Sequence, residues 1–110
     1  MAYNIALAEK IQKRMEKQKG FSQRKMFGGI CYMINGNMAC GIVGDDLMVR
    51  VGPKDYQRSL RRSHARPMDF TGRPLKGFVY VSAKGYDREA ALKEWIGIGA
   101  QFARSLPTKL

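Results

Sequence analysis

The chain has 110 residues, 45% of them hydrophobic, and a formal net charge of +11. That is enough for one domain with its own core over residues 1–110, and it excludes wholesale disorder. No stretch approaches the roughly 18 consecutive apolar residues of a membrane span, Met1-Ala2-Tyr3-Asn4 opens no signal peptide, and Cys31, Cys40 and His64 are too few for a four-ligand zinc site.

Taken in chain order, residues 3–18 predict a helix, with Leu7, Ile11 and Met15 on one face and Lys10, Lys13, Arg14 and Lys17 elsewhere. Gly20 is a plausible stop. Residues 1–25 carry a net +5 and residues 26–49 a net −2. Residues 29–51 predict a three-stranded meander, with strands at Ile30–Ile34, Met38–Val43 and Leu47–Val51. Asn35-Gly36, whose residues both tolerate positive φ, forms the first turn and Asp45-Asp46 the second. In the third strand Leu47, Val49 and Val51 alternate with Met48 and Arg50, so the odd positions should face the core.

Residues 50–76 carry a net +6. Gly52-Pro53 should open a short helix to about Arg62, with Pro53 at its first position and Tyr56 and Leu60 as its buried stripe. A basic loop follows, then Met68-Asp69-Phe70, a turn at Thr71-Gly72-Arg73-Pro74, and a strand from Phe78 to Ala83 that completes a second hairpin. Asp87 should cap a last helix, in which Leu92, Trp95, Ile96, Gly99, Phe102, Ala103 and Leu106 recur at helical spacing. The order is α-β-β-β-α-β-β-α. Tight turns make neighbouring strands antiparallel, so the fold class is α+β, a two-layer antiparallel sheet with helices.

Residues for catalysis do not converge anywhere. The chain has no phosphate loop, no GxGxxG and no HExxH. His64 lies among Arg61, Arg62 and Arg66 without a carboxylate beside it, and Asp45-Asp46 is what a hairpin tip requires. Lys76-Gly77-Phe78-Val79-Tyr80-Val81 partly matches an RNA-recognition signature, but Val79 and Ala83 break it and the element order is wrong for that fold. No catalytic residue, metal ligand or cofactor is expected. The charge blocks suit a polyanion, with Lys54, Arg58, Arg61, Arg62, Arg66 and Arg73 as candidate contacts.

Arg24-Lys25-Met26-Phe27-Gly28-Gly29, the Asn35-Gly36 hairpin and Leu47-Met48-Val49-Arg50-Val51 carry a resemblance that continues through Met68 to Pro74, Lys76-Gly77 and the Trp95 helix ending Ser105-Leu106-Pro107. Together they resemble the N-terminal domain of the TfoX/Sxy family of competence regulators, over about residues 5–107. The resemblance implies a two-layer fold similar to the secretion-chaperone-like class and a bacterial regulatory role associated with DNA uptake. It implies no catalytic site. The full regulators continue into a helical second domain, and this chain ends at Leu110, so a stand-alone N-terminal domain is expected. Gly28-Gly29 reads as a backbone requirement, for positive φ or close packing.

The expected function is therefore a regulatory protein-interaction module in the cytoplasm. Its partner would be a protein such as a transcription regulator, with nucleic-acid binding through the basic blocks as the alternative. A two-residue turn at Asn35-Gly36 would set Cys31 opposite Cys40 as reduced cross-strand neighbours. Both faces of the first hairpin read as apolar, with Ile30, Tyr32, Ile34, Ala39 and Val43 on one and Cys31, Met33, Met38, Cys40 and Ile42 on the other. Either the basic loop at 63–76 or the N-terminal helix covers such a face within one chain, or the sheet pairs with a second copy; the expectation is a homodimer with Tyr32 and Ile34 near the centre of its interface.

Overall fold

Asn4 starts the first helix: its side chain accepts a hydrogen bond from the Leu7 amide at 3.0 Å. In the computed structural model, which describes residues 3–26, 28–69 and 74–109, this helix, α1, runs Ile5–Met15. Then come strands β1 (Phe21–Met26), β2 (Gly29–Ile34), β3 (Asn37–Val43) and β4 (Asp46–Arg50), and helix α2 (Tyr56–Leu60). Strands β5 (Ala65–Asp69) and β6 (Pro74–Val81) and helices α3 (Ala83–Tyr86) and α4 (Glu89–Ser105) complete the chain. The six strands form one antiparallel sheet in the order β1-β2-β3-β4-β6-β5. The α+β class holds, with one strand more than expected before the meander and a short extra helix before the last one.

β1 was not legible because Ser22-Gln23-Arg24-Lys25 is polar throughout and exposed on both sides. It is an edge strand, held by its ladder to β2 and by Phe21, whose ring stacks on Tyr32 with centroids 6.4 Å apart. The Asn35-Gly36 turn forms as expected, with φ of 55° and 81°. Gly28 has φ 75°, and a Cβ on Gly29 would stand 1.8 Å from the Ile42 carbonyl oxygen, so the pair meets both backbone requirements.

The first hairpin departs from the expected register after two pairs. Ile34 faces Asn37 and Met33 faces Met38, but a bulge then leaves Ala39 unpaired, so Tyr32 faces Cys40 and Cys31 faces Gly41. One inserted residue reverses the facing of everything beyond it. Cys40 and Ile42 turn to the helix side, while Val43 goes to the opposite side. The cysteines are free and buried, but they lie on opposite faces rather than side by side.

Helices α1 and α4 cover one face of the sheet. Trp95, Leu92 and Ile96 pack in one core with Leu47, Val49 and Val51, as the alternation in β4 required. A Cβ on Gly99 would stand 2.3 Å from the Ala39 carbonyl oxygen, so a glycine lets α4 lie directly on the bulge. Two caps differ from expectation. Asp87 ends α3 rather than starting α4, whose N-cap is Arg88. Pro53 precedes α2, whose N-cap is Asp55.

Candidate functional site

The basic positions expected to meet a polyanion are largely engaged within the chain. Arg58 donates to Asp55 at 2.7 Å, Arg62 to Glu94 at 2.9 Å and Arg66 to Asp46 at 2.6 Å. The Arg62 guanidinium also lies over the Trp95 ring and that of Arg66 over the Tyr80 ring. Lys54 and Arg61 are exposed, and Arg73 lies outside the described residues. The five described positions thus form no single stripe. Arg58 lies on α2, Lys54, Arg61 and Arg62 flank it, and Arg66 lies on β5.

Tyr32 and Ile34 are corrected outright as interface residues. They are 1% and 0% exposed, beneath the chain's own helices, and the Tyr32 hydroxyl donates to the Ala8 carbonyl at 3.2 Å. The bulge put Cys40 and Ile42 beside them and made that face the core.

The other sheet face has a distinct chemistry. Among the described residues no helix packs across it as α4 does across the first. Five of the chain's seven methionines lie on it, Met26, Met33, Met38, Met48 and Met68, with Cys31, Phe78 and Tyr80. Thioether side chains are unbranched and polarisable, so they suit a surface that must repack around what it meets. Met48, Met68 and Cys31 are buried, while Met26, Met33 and Met38 are half-buried and stay accessible.

These three methionines and Phe78 form the apolar wall of a groove of about 420 Å³ at the β1–β2–β3 side of this face. Arg24, Arg50 and Lys109 bring three cations to it, and among the described residues no carboxylate lines it. The Arg50 guanidinium lies over two rings, 5.3 Å from the Phe78 centroid and 5.4 Å from that of Phe102.

The site holds no activated nucleophile. Burial pushes the Cys31 thiol up, and the nearby Arg24 guanidinium only partly offsets that, so the thiol stays protonated at neutral pH. His64 is exposed at φ 69°, its carbonyl accepting from the Ser82 amide at 3.0 Å. Asp45 accepts from Asn4 at 3.2 Å, and Asp46 pairs with Arg66, so both hairpin carboxylates serve the fold. Among the described residues no three His, Cys, Asp or Glu side chains are grouped to hold a metal, and no helix is long and apolar enough to cross a membrane.

Sequence reasoning missed the groove's cations. Arg24, Arg50 and Lys109 come from distant parts of the chain, and only sheet pairing and the returning C-terminal segment bring them together. The Lys109 amide donates to the Asn35 carbonyl at 2.8 Å, which anchors that segment beside the hairpin. The available signal was the methionine content of the hairpin that failed to alternate.

The family model described as the TfoX N-terminal domain matches residues 13–103. No curated protein and no solved structure matches the chain.

Proposed function

The chain belongs to the TfoX N-terminal domain family, and from that membership we propose that it is a non-enzymatic, competence-regulator-like module that acts by binding a protein partner. The observation that carries this reading is the methionine-walled groove on the sheet face that no described helix covers, with three cations and, among the described residues, no carboxylate along it. The partner is a cytoplasmic protein, of the transcription-regulator class that the family's role suggests. It presents an apolar segment flanked by acidic residues. Adaptable thioethers provide contact area, while Arg24 and Arg50 favour the acidic flanks and set orientation.

The test compares wild type with Met33→Glu/Met38→Glu as bait in a nuclease-treated bacterial lysate. Proteins captured by the wild type are identified, purified and titrated against both baits. A partner that binds the wild type and loses at least about tenfold in affinity for the variant, about 1.4 kcal/mol, supports the reading. Partners that bind both baits equally would overturn it.

A further inference from the structure

The second accessible groove lies on the opposite side of the molecule, between α1 and α4, with a volume of about 440 Å³. Lys13, Arg14 and Lys17 approach it from the end of α1 and the turn that follows, and Lys93 from α4. Arg14 is paired with Glu89, but among the described residues no carboxylate pairs with Lys13, Lys17 or Lys93. At its end Gln18 accepts from Arg104 at 2.8 Å, which adds a fifth cation. Glu9, one turn before Lys13, makes no ion pair with it.

The negative end of the α1 dipole accounts for cations in its last turn. It does not account for Lys93, which sits in the body of another helix. Like charges gathered this way repel one another, so the fold alone gives no reason for the cluster.

Gly97 is an independent observation. It lies inside α4, where glycine is disfavoured relative to alanine, and it is exposed on the wall of this groove. A Cβ built there would meet nothing within 4 Å, unlike that of Gly99 two residues on. No packing within the chain requires the missing side chain. What it leaves is open space beside Lys93, where something outside the chain can approach the helix backbone closely.

The lining also selects the occupant. Its apolar member, Ile96, is only 3% exposed, so the groove lacks the apolar centre that a protein partner needs. Among the described residues it has no aromatic ring on which a base could stack. It offers ammonium and guanidinium donors, which suit phosphate oxygens without regard to sequence.

We infer that the α1–α4 groove binds the phosphodiester backbone of a nucleic acid, with Lys13, Lys17 and Lys93 each neutralising a phosphate and Gly97 admitting the strand. The site lies apart from the methionine groove, so each can be occupied, and each can fail, without the other.

The test is fluorescence anisotropy with a labelled duplex of arbitrary sequence and a single strand of the same length, across a salt series. Three neutralised phosphates give a log–log salt slope of about −2.7 on duplex, or a loss of about 40-fold in affinity between 50 and 200 mM salt. Lys13→Gln/Lys17→Gln/Lys93→Gln should weaken binding at least about tenfold at 50 mM salt and flatten that slope towards zero. Gly97→Gln should weaken binding while its melting curve stays cooperative. Lys25→Gln/Lys76→Gln/Lys84→Gln removes the same charge elsewhere, at exposed positions, and should keep most of the slope. The inference is overturned if the wild type binds neither DNA at 50 mM salt or if the two triple variants lose affinity equally. Retention of inorganic polyphosphate without either DNA would overturn it too.

Discussion

The guanidinium carbon of Arg62 lies 4.1 Å from the centroid of the Trp95 ring, while its Nη2 donates to Glu94 at 2.9 Å. This arginine, which reads in the sequence as a polyanion contact, is a lid on the largest core side chain. The half-exposed ion pair contributes little, but the cation over the indole contributes more. Arg62→Ala should destabilise the protein by about 1–2 kcal/mol in urea unfolding. If the side chain served only an external anion, stability would stay unchanged.

Trp95 is 1% exposed, in the core formed by α4 and the central strands. Trp95→Ala should cost about 3–5 kcal/mol, which could consume most of the stability of a domain this size. Thermal melting reads the outcome, and a midpoint within a few degrees of wild type would contradict this packing.

Gly97 and Gly99 should respond to alanine with opposite signs, although they are two residues apart in one helix. At Gly97 the new methyl meets nothing, so helix propensity alone acts and Gly97→Ala should stabilise by about 0.5–1 kcal/mol. At Gly99 the methyl would stand 2.3 Å from the Ala39 carbonyl oxygen, a backbone atom that cannot rotate away. Gly99→Ala should therefore destabilise by about 1–3 kcal/mol as α4 is pushed off the bulge. Parallel denaturant titrations distinguish the two.

Burial pushes the Cys40 thiol and the Tyr32 hydroxyl well above their ordinary values, with Cys31 adding to the effect on Cys40 and Cys40 to that on Tyr32. Both are neutral acids whose ionisation is suppressed in the folded state. The unfolded chain therefore loses these protons first as pH rises, beginning near the ordinary thiol value of 9.0. Their contribution is intact below that pH and should decline steadily above it, as measured by urea unfolding from pH 8 to 11. Replacing Cys40 with Ala should make the decline shallower. In the native state at pH 8 both cysteines should resist a thiol reagent that modifies them at once in denaturant.

Much of the fold could be read from local patterns. The α4 stripe from Leu92 to Ala103, the Asn35-Gly36 turn and the alternation of Leu47, Val49 and Val51 each reflect an interaction between near neighbours in sequence. β1 could not be read, because an edge strand solvated on both sides has no periodicity and exists only through its ladder to β2. The facing of Cys40, Ile42 and Val43 was equally hidden. The bulge at Ala39 is stabilised by α4 lying on it through Gly99, a contact 60 positions away in the chain.

Residue type and short-range spacing were enough for the α+β class, the helical core around Trp95 and the family resemblance, because each rests on near neighbours in the chain. Which cations are available follows from contacts between distant parts of the chain. Arg58, Arg62 and Arg66 meet carboxylates and so leave the basic block, whereas Arg24, Arg50 and Lys109 converge on the methionine groove and Lys13, Lys17 and Lys93 on the α1–α4 groove. Composition records how much charge a chain carries. Where that charge is left uncompensated depends on distances between residues far apart in sequence, and folding alone sets those distances.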